Sequence, residues 1–300
     1  MIATVVDLQN LTGTDVFPLD MAVPFGPPLL NCAGSCPRLQ PRPFAADEST
    51  MSLAFAAVAF APGLAVGSFL NVVASRVPLR RSISGGRSAC MSCSHEIAAY
   101  DNIPLVSWAV LRGRCRHCDA AIPLRYPLVE LVTALLVAAS VLRFGLTLEA
   151  LVAVFFCVVL VAISAIDIEH RIVPNRIVIP SAAIVLVAQT ALQTSPEWAL
   201  AALGASGFLF VAALAYPKGM GMGDVKLALL LGAMLGRPVA VGLMIGFLAA
   251  LVPAAVLALR HGSKARKIAI PFAPFLAFGA IVALFAGDPI LDWYLATFPG

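Results

Sequence analysis

The chain has 300 residues, 60% of them hydrophobic and only 12% charged, with a net charge of +4 and a mean hydropathy of +0.94. Soluble globular domains carry about a quarter of their residues as charged side chains, so that class is excluded. The composition predicts an all-α polytopic membrane protein, with room for several spans of about 20 residues and one modest extramembrane region.

Residues 1–50 hold seven prolines, at 18, 24, 27, 28, 37, 41 and 43, and no sustained apolar period. No charged segment leads into a long apolar one, so this stretch reads as neither a signal peptide nor a packed domain. Two readings stay open: a disordered tail, or a start assigned too early, because Met51 opens directly onto an apolar run. Cys32 and Cys36 lie in this stretch and carry no argument.

The first span is expected from about Met51 to Val73 and ends in Gly67-Ser68-Phe69-Leu70-Asn71-Val72-Val73. Small residues there let another helix approach closely, and Asn71 is a polar group in hydrocarbon that needs a partner. A polar region, 74–126, follows and holds four of the seven cysteines. Seven further spans are expected in 127–300: Pro127 to Val141, Thr147 to Ile166, Ile177 to Leu192, Trp198 to Tyr216, Asp224 to Leu235, Val239 to Leu259 and Ile268 to Phe285. The total is about eight transmembrane helices.

Alternating these spans places the loops 74–126, 167–176, 217–226 and 260–267 on one side. Those loops hold 16 of the 20 Lys and Arg, whereas the opposite loops hold only Arg143 and Arg237 and the remaining two, Arg38 and Arg42, lie in the N-terminal stretch. Lys and Arg excess marks the cytoplasmic side, so those four loops are expected to face the cytoplasm. The segment after Asp224 has about a dozen apolar residues, too few to cross a bilayer comfortably. Either Asp224 lies below the headgroups in a wet recess, or this helix is broken.

Asp167 closes one span and Asp224 opens another, within Gly219-Met220-Gly221-Met222-Gly223-Asp224-Val225-Lys226. An ionised carboxylate near hydrocarbon needs water, a partner or a bound proton. Two of them side by side share a proton, and one then acts as base toward water while the other donates to a carbonyl. Taken singly, each has a plainer reading, Asp224 as a helix cap and Asp167 as a solvated helix end. Gly221 and Gly223 allow close backbone approach, which suits an extended substrate. The Gly-x-Gly run is no nucleotide fingerprint, since no strand precedes it. Lys226 acts on the neighbouring carboxylate or simply marks the membrane boundary.

Cys90-Met91-Ser92-Cys93 and Cys115-Arg116-His117-Cys118 form two C-x2-C pairs separated by 21 residues. The spacing suits a closed tetrahedral Zn2+ site, which folds a loop and leaves no open position for catalysis. His95 and His117 are spare candidates more in keeping with surface residues, and Cys157 reads as a small core hydrophobe. Glu130 lies just inside a span and is expected to pair with an arginine of the polar region. Glu169, His170 and Arg171 are expected in a solvated turn.

Several of these stretches, in this order, resemble the type IV prepilin peptidases. They are Gly67-Ser68-Phe69-Leu70-Asn71-Val72, the two C-x2-C pairs with Arg112-Gly113-Arg114-Cys115, Arg125-Tyr126-Pro127-Leu128-Val129-Glu130, Asp167-Ile168-Glu169-His170 and Gly221-Met222-Gly223-Asp224-Val225-Lys226. The resemblance covers about Phe60 to Phe278. It implies a Gly-x-Gly-Asp aspartic protease that removes the basic leader of prepilins and pseudopilins after a glycine, with Asp167 and Asp224 as the catalytic pair. It also implies methylation of the new N-terminal residue with S-adenosylmethionine, because the cysteine loop is typical of the bifunctional members. No stretch marks the methyl-donor pocket, and that site is unassigned. Gly221, Gly223, Lys226, Glu130 and Asn71 are carried as substrate-binding or supporting residues. Membrane lipid and the pilin substrates are the expected partners, with no nucleic acid. Two other readings are kept beside this one: a peptidase without methyltransferase activity, and an ion- or proton-coupled transporter or scaffold whose zinc loop docks a partner.

Overall fold

Glycine closes several helices of this apolar chain, whereas Pro62, Pro180, Pro253 and Pro289 lie inside helices. A computed structural model describes residues 46–82, 87–216, 221–262 and 270–297, all within one unit that runs from Ala45 to Gly300. The expectations for residues 1–45, for Lys218, Gly219 and Met220, and for Lys264, Arg266 and Lys267 lie outside the described residues.

Nine α-helices form among the described residues: α1 (Ala46–Arg76), α2 (Val106–Val110), α3 (Arg125–Phe144), α4 (Leu148–His170), α5 (Asn175–Leu192), α6 (Glu197–Ala215), α7 (Met222–Leu235), α8 (Val239–His261) and α9 (Ala273–Thr297). Gly145 closes α3 at φ +69° and Gly236 closes α7 at φ +62°, a backbone region that favours glycine. Thr147 caps α4 by accepting the Ala150 N–H at 3.1 Å. Arg171, left-handed at φ 54°, closes α4. Helix α9 starts later than the sequence suggested, at Ala273, because Pro271 precedes it and Pro274 fills its first turn, where a missing N–H matters least.

Seven helices, all but α2 and α7, are long and apolar enough to cross a membrane. The protein is an all-α, multi-pass membrane protein. The eighth expected segment is α7, 14 residues and unbroken, about 21 Å long at 1.5 Å per residue. Its shortness goes with burial: Leu227, Ala228, Leu230 and Leu231 are fully enclosed, and α5, α6 and α9 surround it. A helix that is apolar on all sides and wrapped by others is an interior element.

Helix α4 is the other central element, with Phe156, Leu160, Ile163 and Ile166 completely buried and α1, α3, α5 and α9 packed around it. The outer faces remain apolar, as at Leu200, Leu203 and Val211 of α6 and Leu251 and Val252 of α8, which suits contact with lipid. The close approach expected near Gly67 is present. A Cβ there would lie 2.6 Å from the Glu130 Cα, and one at Gly63 would lie 2.8 Å from the Ala134 Cα, so α1 and α3 touch backbone to backbone.

Candidate active site

Asp167 lies in the last turn of α4, three residues before its end, and is buried. Its Oδ2 accepts the Ala273 N–H, the first amide of α9, at 3.1 Å. That amide has no partner within its own helix, and the positive end of α9 faces the carboxylate. Asp224 lies in the first turn of α7 and is half-buried. Its backbone N–H reaches the Gly221 carbonyl at 3.1 Å, and a Cβ on Gly221 would stand 3.6 Å from Asp224 Oδ2. The Asp167 carboxylate lies within electrostatic reach of Asp224, although the two acids are 57 positions apart in the chain.

The link between α4 and α5 fixes this meeting. Val173 packs on the backbone of Gly223, where a Cβ would fall 2.8 Å from the Val173 Cβ. Only glycine lets the link and the start of α7 come this close. Lys226 Nζ donates to Asn175 Oδ1 at 3.0 Å, binding the first turns of α7 and α5 together. Lys226 therefore holds two helices, a role its sequence position did not announce. Gly221 is exposed beside the acid, and Gly223 is half-buried.

Asn71 and Glu130 stand elsewhere, on the α1 and α3 side. Asn71 Nδ2 donates to the Tyr126 carbonyl at 3.1 Å, which supplies the partner its position demanded. Glu130 is buried, and its Oε2 accepts the Leu105 N–H at 2.9 Å. The expected arginine is thus replaced by a backbone amide. Leu105 has φ +59°, and the carboxylate meets the otherwise unpaired donor where α2 begins. Glu169 is not in a freely solvated turn either: Arg125, the first residue of α3, forms an ion pair with it. The chain leaving the cysteine loop is thereby tied to a residue two positions after Asp167.

The four cysteines converge. One sulfur from each of Cys90, Cys93, Cys115 and Cys118 lies within 4.8 Å of all the others, and all four are free thiols. Each pair sits in the same kind of turn. Cys90 N–H donates to the His95 carbonyl and Ser94 N–H to the Cys90 carbonyl, and Cys115 N–H donates to the Ala120 carbonyl and Asp119 N–H to the Cys115 carbonyl. Ser94 and Asp119 take up matching left-handed conformations at φ 57° and 58°. Backbone amides of Cys93 and Ser92 pull the Cys90 thiol down to about 6. For Cys118 the Ala120 amide pulls the same way, but burial and the three neighbouring thiols overcome it and push the group up to about 12. Four sulfurs this close become thiolates together only around a cation, so the donor set fits a thiophilic metal.

Arg116 forms a two-pronged pair with Asp101, at 2.8 and 2.6 Å, which holds that carboxyl below its usual range. Trp108 lies across Gly113 and donates to the Ile122 carbonyl at 3.2 Å. His95 and His117 stack on each other with ring centroids 3.6 Å apart and stay outside the sulfur group. Cys157 is fully buried in α4, as its apolar surroundings implied. Sequence reasoning missed Val173, Asn175 and Ala273; Pro174 and Pro271, close to the two helix starts, are the signal that could have marked them.

Two family profiles match the chain: the Bacterial Peptidase A24 N-terminal domain over residues 62–144 and the Type IV leader peptidase family over residues 154–259. The chain is similar to the prepilin leader peptidase/N-methyltransferase of Bacillus subtilis (strain 168), 36% identical over 242 residues, covering 79% of this chain and 97% of that protein. The protein of the same name from Burkholderia pseudomallei (strain 1026b) is 36% identical over 284 residues, covering 82% of this chain and 89% of its own. That from Myxococcus xanthus (strain DK1622) is 43% identical over 191 residues, covering 60% and 56%. No solved structure matches. With acids, cysteine loop and family profiles in one order along the sequence, the chain belongs to the type IV leader peptidase family.

Proposed function

We propose that this protein is a membrane aspartic endopeptidase that removes the leader from type IV prepilins and pseudopilins, with Asp167 and Asp224 as its catalytic pair. The observation that carries the reading is that Asp167 of α4 lies within electrostatic reach of Asp224 of α7, beside the start of α9. Two carboxyl groups so placed hold one proton between them. The Ala273 amide donates to Asp167 Oδ2 and fixes the orientation of that carboxyl group. One acid then takes a proton from the attacking water, and the other gives one to the scissile carbonyl oxygen as the tetrahedral intermediate forms. Gly221, exposed beside Asp224, leaves the substrate backbone room to approach.

The excess of Lys and Arg in the loops 74–126, 167–176, 217–226 and 260–267 supports a site at the cytoplasmic face of the bacterial inner membrane. A prepilin with a basic leader and an apolar stretch beyond the cut meets the acids there without leaving the bilayer. Cys90, Cys93, Cys115 and Cys118 hold one Zn2+, which closes the 74–126 domain and takes no part in hydrolysis. The names of the relatives support a second step, methylation of the new N-terminal amine with S-adenosylmethionine as donor. The test is an assay of one purified prepilin with and without S-adenosylmethionine, read by mass spectrometry. Leader loss in both reactions with one added methyl group in the donor-containing one is expected. An intact leader would refute the peptidase reading, and cleavage without methylation would reduce the protein to a peptidase alone.

A further inference from the structure

Helices α6 and α8 flank the far end of α7 and scarcely touch each other, leaving an apolar cavity of about 860 Å³ between them. Its α6 wall runs from Glu197 to Phe208, with Ala201, Gly204 and Ala205 on it. Leu243 and Phe247 line the α8 side, and Arg237 and Glu197 stand at the mouth remote from the acids. We infer that this groove receives the apolar segment of the substrate that follows the scissile bond, packed as a helix against α6 and α8. The inference rests on the prepilin peptidase reading of the acid pair and adds where the rest of the substrate lies.

Continuity with the acids is the first argument. Phe208 and Phe247, the lining residues nearest the Asp167 end, meet edge to face with centroids 6.4 Å apart, and Phe247 lies 5.7 Å from Phe272. Phe272 directly precedes Ala273, whose amide holds Asp167. Aromatic contacts therefore lead from the groove lining to Phe272, the residue before the amide that Asp167 accepts. Size is the second argument. Twelve helical residues on the α6 wall span about 18 Å, which gives the cavity a mean cross-section of roughly 50 Å², close to half that of a helix 10–12 Å across. A substrate helix would lie half-sunk, with its other face toward lipid, in a slot wider than one extended acyl chain fills. The wall is the third argument. Ala201 already packs on Gly232 of α7 and Ala205 is buried, but Gly204, where a Cβ meets nothing within 4 Å, allows a second backbone to come near, which is how helices associate where lipid removes the hydrophobic drive.

Gly204 offers a clean test, because a Cβ there meets nothing within 4 Å and so disturbs no packing. Gly207 is equally open but does not line the groove. Gly204→Leu and Gly207→Leu are compared on a full prepilin in liposomes and on a short water-soluble peptide spanning the cut. Gly204→Leu is expected to lower kcat/KM for the prepilin at least tenfold, through KM, and to leave the peptide unchanged, while Gly207→Leu matches wild type on both. A photo-crosslinker at Met244 is expected to capture the apolar segment of the prepilin. Wild-type prepilin cleavage by Gly204→Leu, equal losses on both substrates, or capture of lipid alone would overturn the groove assignment while leaving the acid pair standing. Failure of the wild-type protein to cut either substrate would instead overturn the peptidase reading beneath it.

Discussion

The Asp167 carboxylate accepts the Ala273 N–H at 3.1 Å across a separation of 106 residues, so the acid that ends α4 also caps α9. One bond thus fixes the orientation of the proposed catalytic carboxyl group and the start of the last helix. It gives Asp167 a preset geometry.

The contact between Val173 and Gly223 predicts a compensating pair. Gly223→Ala places a methyl group 2.8 Å from the Val173 Cβ and must push α7 or the α4–α5 link aside. Displacements of this size at a catalytic group cost about a hundredfold in rate. Leader cleavage by Gly223→Ala is expected to fall between tenfold and a hundredfold, and Val173→Ala in the same chain is expected to recover most of it. A double variant no better than Gly223→Ala would show that the glycine serves another purpose.

The Arg125–Glu169 ion pair couples the exit of the cysteine loop to the acid site. Both side chains are about a third exposed, so the pair is worth about 1 kcal/mol or less. Arg125→Gln and Glu169→Gln are each expected to reduce cleavage by up to about fivefold. Because they remove the same contact, the double variant should lose no more than either single one, as a kinetic cycle would measure. Multiplying losses would break the proposed link.

Metal analysis tests the cysteine quartet. Protein purified without chelator is expected to carry about one zinc per chain, and Cys90→Ser to carry almost none. Without the metal, the segment 87–122 should become the first site of limited proteolysis. Fully active protein with no metal would remove the zinc proposal and leave the peptidase proposal untouched.

The sequence disclosed the chemistry more readily than the joints that hold it. Two acids at the ends of apolar segments and two C-x2-C pairs are visible because their residue types are unusual where they stand. The shortness of the segment after Asp224 was also visible, and burial on every side explains it: α7 has no need to reach both surfaces. Ala273 was not visible as the partner of Asp167, since a backbone amide leaves no mark in composition and the contact spans 106 residues. Lys226 looked like a membrane-boundary charge until its bond to Asn175 brought two helix starts together. Glu130 and Glu169 drew partners other than those expected, because pairing between loops follows from how helices pack and has no sequence period. Family membership removes the ground for the transporter reading.

The most direct test of the acid pair is the cleavage rate of Asp167→Asn, Asp224→Asn and the double variant, each shown to be folded and inserted. Groups that act as one unit lose their effect together. Each single variant is expected to fall by about a thousandfold or more in kcat/KM, with the double variant no slower than the worse single one. Normal leader removal by either single variant, or losses that multiply in the double, would contradict the account.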